Sequence, residues 1–360
     1  MSFELTDIFP NASQGLSNIG FIFGAGASYK AGYPLMPELT VKVIEKLSAS
    51  EADLLDGLVS KAHGTKIDRA KGEPNIELIS DLLESALFTI DRTEPQYNSM
   101  QQARASIREK IVDVMLATVK PKLDDHVRFF TALNRIFSGR SETIWIFTPN
   151  YDLLFELGAA VAKAPLINGF FGASFGYFNV QSLGLSMGTV DSGKFSPLSQ
   201  PVFRLVKLHG SLDWWRDKAL QTSIYRTQTP TQVNVDLERV IVLPRKRKIT
   251  ETLDMPFGDI FRLSEKIIGS QCKYLVSCGY GYGDEHINST LLLPKVQQGR
   301  IKLMALVKDD NTNLDEFRSL SAFSFGTVSS LKKNGSLLTE GTDLWQFDKF
   351  VNLLCNHAGM

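Results

Sequence analysis

Ile19 to Phe23 carries no polar side chain and runs directly into Gly24-Ala25-Gly26-Ala27-Ser28. A strand without polar alternation is buried on both faces, which points to a parallel sheet covered by helices above and below. Predominantly apolar runs that look like buried strands recur at Thr143 to Phe147, Val202 to Leu208, Val240 to Leu243, Tyr274 to Cys278 and Ile301 to Leu306. Helical patterns fall at Phe257 to Ile268 and Glu285 to Leu293, and a closing helix at Leu344 to Leu354. The expected fold class is α/β: a Rossmann-like parallel sheet with helices on both faces.

One connection is far too long for a simple crossover. From residue 38 to residue 140 the pattern is helical. Asn75 stands at an N-cap position before Ile76, Ile79, Leu82, Leu83 and Ala86, and Ile107, Ile111, Val114 and Met115 repeat the spacing. These stripes are read as core. The expected organisation is therefore a nucleotide-binding domain from 1–37 and 141–360, with 38–140 as a large helical insertion. A second segment, Leu166 to Val190, lacks charge but holds Gly169, Gly172, Gly176, Gly184 and Gly188. So many glycines exclude a membrane span and suggest a flexible loop. With Phe170, Phe171, Phe175, Tyr177 and Phe178, the stretch to Pro201 is expected either to order over the site as a lid or to form a protein contact.

Composition narrows the function. With 39 Lys+Arg against 39 Asp+Glu the formal net charge is zero, so direct nucleic-acid binding is not expected. The run Arg245-Lys246-Arg247-Lys248 is read as a solvated loop. The first residues have no signal-peptide pattern, and a cytoplasmic location is expected. Three cysteines, Cys272, Cys278 and Cys355, cannot form a disulfide framework or a four-thiolate zinc site. Cys272 and Cys278 are read as core thiols on one strand face.

In open parallel sheets the ligand lies at the carboxyl ends of the strands, so the residues following each strand carry the chemistry. After the first strand come the glycine turn and Gly32-Tyr33-Pro34; its amides suit a pyrophosphate, although Tyr29 occupies the third position of the usual dinucleotide fingerprint. After the second come Thr148-Pro149-Asn150-Tyr151-Asp152, where Asn150 offers both a donor and an acceptor. The structural alternative there is a helix cap. After the third comes His209-Gly210-Ser211, a candidate general base at the ligand edge. His286 is read as a helix-surface residue, and His63, His126 and His357 as lacking neighbouring chemistry. A later turn, Gly279-Tyr280-Gly281-Tyr282-Gly283-Asp284 with Asn288 one turn on, suits phosphate or ribose.

Together these motifs resemble the sirtuin superfamily. Gly24-Ala25-Gly26-x-Ser28 with Gly32-x-Pro34, Thr148-x-Asn150-x-Asp152 and His209-Gly210 stand in the family's order, and Gly279 to Gly281 take the place of its later Gly-Thr-Ser segment. The resemblance implies NAD as the substrate cofactor, with Asn150 and His209 as catalytic pair and Asp152 as a third catalytic residue. It implies ligand contacts from Gly24, Ala25, Gly26, Ala27, Ser28, Gly32, Pro34, Thr148, Gly279, Tyr280, Gly281 and Asp284. Two departures matter. Met36 and Pro37 replace the Phe-Arg of protein-deacylating members, and Ser211 to Arg239 contains no cysteine where those members carry a zinc ribbon. No zinc or other metal is therefore expected. The insertion, with Asn75-Ile76-Glu77, is similar to bacterial sirtuin-like proteins of anti-phage defence, which hydrolyse NAD. That likeness implies NAD glycohydrolase activity in abortive infection, a homo-oligomer, and a HerA-type ATPase or other sensor subunit as partner. The alternatives are a zinc-free deacylase or ADP-ribosyl transferase, and a non-catalytic NAD or ADP-ribose sensor.

Overall fold

The computed structural model describes residues 5–9, 11–12, 16–118, 120–232, 235–243, 255–333, 336–338 and 340–360. The basic run Arg245 to Lys248 lies outside the described residues. The chain opens with the short helix α1 (Leu5–Ile8), strand β1 (Ile19–Phe23) and a single helical turn α2 (Gly26–Tyr29). Five helices follow: α3 (Met36–Ile44), α4 (Ala49–His63), α5 (Ile76–Thr89), α6 (Pro95–Leu116) and α7 (Asp124–Ile136). Ser48 closes a capping box on α4 with Glu51, and Asn75 caps α5 by accepting from the Leu78 amide, as its sequence position predicts.

Next come β2 (Thr143–Thr148) and α8 (Leu154–Val161), then the short strands β3 (Leu166–Ile167), β4 (Phe170–Gly172), β5 (Gly176–Phe178), β6 (Gly188–Asp191) and β7 (Lys194–Pro197). Beyond these lie β8 (Val202–Lys207), β9 (Gly210–Asp217), β10 (Ile224–Arg226), β11 (Leu237–Ile241) and α9 (Phe257–Ile267). The C-terminal part holds β12 (Tyr274–Cys278), α10 (Glu285–Ile287), a π-helical turn (Asn288–Leu292) and α11 (Leu293–Gln297). It continues with β13 (Lys302–Leu306), α12 (Asp315–Arg318), β14 (Phe323–Gly326), β15 (Leu331–Lys333), β16 (Ser336–Leu338) and α13 (Phe347–His357).

Nine strands form the main sheet in the order β16-β15-β14-β13-β12-β1-β2-β8-β3. From β14 to β3 every pairing is parallel; only the β14-β15 and β15-β16 pairs are antiparallel. Side chains alternate between two apolar layers, as the strand period requires. Phe21, Phe23, Ile144 and Ile146 pack under α7, α8 and α13 in one layer; Ile22, Trp145 and Phe147 pack with α9 and α11 in the other. In the first layer, the Phe21 ring lies edge-on to Phe129 with centroids 5.3 Å apart, and Phe23 stacks on Phe155 at 4.9 Å. The fold is thus α/β, a large parallel sheet flanked by helices.

Several sequence expectations change. Val240 to Leu243 is not part of the parallel sheet. Gly210 turns the chain at φ +82°, and β11 pairs antiparallel with β9 in a second sheet of order β11-β9-β10-β5-β4. Leu166 to Pro201 is not a structureless loop. Its glycines allow tight hairpins: a Cβ at Gly172 would meet the Phe175 carbonyl oxygen at 2.6 Å. Phe170 is buried edge-on against Trp214, and Phe175 stacks on Tyr225. Cys272 and Cys278 are both buried but sit in opposite core layers, because Cys272 precedes β12 rather than lying in it. Burial pushes both thiols well above the ordinary range. Helices α3 to α6 share a core of their own, closed by Tyr151, Leu154, Leu212, Ile241 and Leu243. Helix α7, within the 38–140 stretch, packs instead with α8 and α13 on the main sheet.

His126 on α7 is fully buried between the rings of Phe155 and Phe347, at 4.9 and 4.5 Å. Burial lowers its pKa from 6.5 to about 4. The folded state therefore favours the neutral imidazole. That contribution is complete above pH 6.5 and is lost as the pH falls towards 4, by up to about 3 kcal/mol. Urea denaturation of His126→Phe between pH 7 and pH 4.5 should show a flatter stability profile than the parent chain.

Candidate active site

Four loops meet at the carboxyl ends of β1, β2, β8 and β12, around a cavity of about 690 Å³. Its wall includes Gly24, Ala25, Gly26, Ser28, Pro34, Asn150, Asp152, His209, Gly279, Tyr280, Gly281 and Asp284. Sequence motifs up to 260 residues apart are thereby brought together by strand order alone. Ala27, Gly32 and Thr148, also expected at the ligand, do not line this cavity. Gly32, at φ +108°, serves the chain turn before α3. Thr148 works from behind: its hydroxyl donates to the Phe23 carbonyl at 2.7 Å and accepts from the Asn150 amide at 3.1 Å, tying the ends of β1 and β2 together.

The glycines answer to a different constraint from the one expected. A Cβ on Gly24 would meet the Gly279 carbonyl oxygen and Tyr280 Cα at 2.6 Å each, and one on Gly26 would meet Gly279 Cα at 2.6 Å. The two turns therefore need glycine to touch each other. Moreover the amides of Gly24, Gly26, Ala27 and Ser28 already donate to Cys278, Gly279, Gly24 and Ala25 carbonyls. A cradle of free amides over this turn is not what the geometry provides.

Asn150 is held by its own amide. Nδ2 donates to the Gly24 carbonyl and to Ser28 Oγ, both at 2.9 Å. With both amide hydrogens committed, the side chain has only its oxygen to offer a ligand. Ser28 Oγ in turn donates to Asp152 Oδ2 at 2.6 Å, and Asp152 Oδ1 accepts from the Leu154 amide at 3.1 Å. Asp152, 2% exposed, is thus engaged on both oxygens and anchors the loop onto α8. Beneath it, Lys207 donates to the Asp152 carbonyl and lies 3.7 Å from Glu156 Oε1. Burial raises the Glu156 pKa to about 7 despite that lysine. Tyr33, at the cavity wall, is raised to about 12 by burial and by Asp152 and Glu156.

His209 Nε2 faces Asp284 Oδ2 at 3.0 Å, and both residues are buried. The other Asp284 oxygen accepts from the His286 and Ile287 amides and caps α10. A carboxylate facing one ring nitrogen favours the proton there and leaves Nδ1 as the basic nitrogen. The carboxylate beside the histidine is Asp284. Tyr280 hydroxyl donates to Asn288 Oδ1 at 3.0 Å, and Asn288 Nδ2 donates to the Tyr282 carbonyl at 2.7 Å, so Asn288 shapes the turn. His286 packs on Phe261.

Sequence reasoning missed the far wall. Lys308, Asp309, Asn311 and Asn313 line the cavity just past β13, with Trp345 beside them. Asn313 Nδ2 donates to the Gly281 carbonyl at 3.2 Å. The rule of strand carboxyl ends, applied to β13, picks out Lys308 and Asp309. The insertion adds Asn75 and Glu77 to the wall. Leu166 to Pro201 contributes nothing to it, so that segment is not a lid over this cavity as the chain stands. Among the described residues no cluster of three His, Cys, Asp or Glu is placed to hold a metal ion, and no helix is long and apolar enough to cross a membrane.

No family model matches the sequence, and no curated protein matches it. Among solved structures, the sirtuin Sir2Tm bound to a propionylated peptide aligns over 99% of this chain and 99% of its own, at 11% identity and a TM-score of 0.42. A likeness of that degree carries no function across.

The contact between the two glycine turns is directly testable. Gly279 sits at φ +62°, and a Cβ there would meet Gly26 Cα at 2.7 Å. Gly279→Ala should cost about 2–4 kcal/mol of unfolding free energy from backbone strain and overpacking. Gly281, equally in the cavity wall but with open space at its Cβ position, should tolerate alanine within about 0.5 kcal/mol. Equal costs in urea denaturation would show that the two turns are not in contact.

Proposed function

We propose that the chain is an NAD glycohydrolase, cleaving NAD to nicotinamide and ADP-ribose. The observation that carries this reading is the convergence, on one cavity, of a clamped Asn150 oxygen with the buried His209-Asp284 pair. At about 690 Å³ the cavity is in the range of cofactor-sized sites.

In the reaction the bond between C1′ of the ribose and the nicotinamide nitrogen breaks. Its electron pair neutralises the positive ring, so no acid is needed at the leaving group. Water supplies the new oxygen at C1′ and loses a proton. The Asn150 oxygen accepts a hydrogen bond from that water or from a ribose hydroxyl and fixes its position. His209 takes the proton, and Asp284 stabilises the imidazolium that results. Asp152 and Ser28 act on the reaction only through Asn150, by holding its amide. The wall past β13, with Lys308 and the asparagines, supplies polar partners for the remainder of the nucleotide.

The resemblance of the 38–140 insertion, with Asn75-Ile76-Glu77, to bacterial sirtuin-like defence proteins extends the proposal. An enzyme that destroys NAD endangers its own cell, so the activity suits an anti-phage effector restrained by self-assembly or by a sensor subunit such as a HerA-type ATPase. A deacylase would instead need an acyl-peptide groove, and the Ser211 to Arg239 segment is spent on β9 to β11, not on a zinc module.

The test is product analysis by mass spectrometry after incubation with NAD, with and without an acylated peptide. The expected outcome is ADP-ribose and nicotinamide, with turnover reduced about 10²–10⁴-fold in Asn150→Ala and in His209→Ala. Acyl-ADP-ribose selects the deacylase. NAD that is bound but never cleaved selects the sensor. Unchanged turnover in both variants removes these residues from the mechanism.

A further inference from the structure

We propose that Lys207 and Glu156 are a positioning pair for Asn150: the lysine clamps the chain two residues beyond the asparagine, and the protonation state of the glutamate sets how firmly it does so. Neither residue lines the cavity, so an effect on a ligand must pass through a residue that does. Lys207 is the last residue of β8, 2% exposed, and pairs in register with Thr148 at the end of β2. Glu156 lies in the first turn of α8.

Asn150 is bracketed on both sides. Two residues before it, the Thr148 hydroxyl donates to the Phe23 carbonyl and accepts from the Asn150 amide. Two residues after it, Asp152 is held through three groups. Its carboxylate accepts from Ser28 Oγ and the Leu154 amide, and its carbonyl accepts from Lys207. Ser28 Oγ also accepts from Asn150 Nδ2, so a shift of Asp152 reaches the Asn150 amide through one hydroxyl. The lysine is the unusual member of this set. A buried ammonium is costly unless it is paired with an opposite charge. Here Glu156 Oε1 is 3.7 Å away, beyond hydrogen-bond reach, and the lysine donates instead to a neutral main-chain carbonyl. Glu156 Oε2 is buried with no hydrogen-bond partner among the described residues. An oxygen left bare in this way costs more on a carboxylate than on a carboxylic acid.

The groups around Glu156 come from four elements. Asp152 stands just before its own helix, Lys207 is on β8, Asp213 is on β9, and Tyr33 is on the turn before α3. Arg239 on β11 in turn feels Asp213. Tyr33 titrates at about 12, and His126 on α7, which feels Asp152, at about 4. Neither changes charge near neutrality. Glu156 does, at about 7, because burial and two neighbouring carboxyls outweigh one lysine. Below that pH the neutral carboxyl leaves the ammonium to the Asp152 carbonyl. Above it the carboxylate is the stronger acceptor and draws the same ammonium off the loop. Asn150 is then held less firmly. The consequence for turnover rests on the proposed role of Asn150; the positioning itself does not.

The experiment therefore reads Asn150 directly. The full chain is prepared with isotope-labelled asparagine, and the side-chain amide signal of Asn150 is identified by its loss in Asn150→Ala. NMR spectra are recorded without ligand from pH 5.5 to 8.5. The signal of the parent chain should move through one step centred near 7. In Glu156→Gln, which stays neutral, the step should vanish and the signal should keep its low-pH position throughout. Lys207→Met removes the cation that lowers the Glu156 titration, so the step should leave this range and the signal should be displaced even at pH 5.5. The near-isosteric glutamine variant decides if the lysine variant does not fold. The proposal is overturned if the parent shows no step, if the step persists in Glu156→Gln, or if the Lys207→Met signal matches the parent's low-pH signal. NAD turnover forms a separate arm: Lys207→Met should lower kcat about tenfold or more with a smaller change in KM. An NMR step without NAD cleavage upholds the positioning pair and removes the hydrolase reading; cleavage without a step does the reverse.

Discussion

The site depends on one contact, the touching of the Gly24–Gly26 and Gly279 turns. Neighbouring parallel strands β1 and β12 deliver these turns to the same edge, and no side chain fits between them. Once they touch, the Gly24 carbonyl is fixed against the end of β2. Asn150 can then bind it and Ser28 together. Ser28 holds Asp152, Asp152 starts α8, and Lys207 on β8 closes the set from below. A side chain in the cavity wall is thus positioned by three strand ends rather than by its own loop. That is the kind of rigidity catalysis by orientation needs.

Burial around this frame has opposite effects on two ionisable groups. His126 is kept neutral under the sheet by aromatic rings, so acid works against the fold there. Glu156 is raised to about 7, so its carboxyl is favoured in the protonated form and its contribution to stability fades as the pH rises from the ordinary carboxylate range through 7. Lys207 softens this by offering Glu156 a partner, and Asp152 and Asp213 sharpen it. The two groups are linked through Asp152, which acts on both.

Much of this was legible from the strand runs. Predominantly apolar segments pointed to the parallel sheet, and the residues just after β1, β2, β8 and β12 to much of the main cavity's wall. What escaped did so for physical reasons. Val240 to Leu243 is as apolar as a buried parallel strand, but Ile241 and Leu243 are buried by the helical insertion and Val240 and Val242 by the main core, and β11 pairs antiparallel; apolarity alone does not carry strand direction. The glycines around 166–201 read as looseness, yet there they permit tight hairpins whose aromatic residues pack on Trp214 and Tyr225. The His209-Asp284 pair joins residues 75 apart in sequence, and only the order β12-β1-β2-β8 brings their turns together. Lys308 and Asp309 carried a usable signal that the strand-end rule would have found.

The segment from Gly210 to Ile241 brings these points together. It has no cysteine, so it cannot be held by a metal through thiolates and must fold on packing and pairing alone. It does so as β9, β10 and β11, with Trp214 buried in the main core and Ile241 in the helical one. A sheet that joins two cores in this way carries load between them. Its outer residues, Arg216 and Arg239, face helix α6 across a small cavity, while its ends bind the backbone of His209 and Tyr151. A packed sheet here joins the helical insertion to the edge that carries the main cavity. The Val242 amide, one residue past the end of β11, donates to the His209 carbonyl, so the second sheet and the edge of the main cavity share one backbone hydrogen bond.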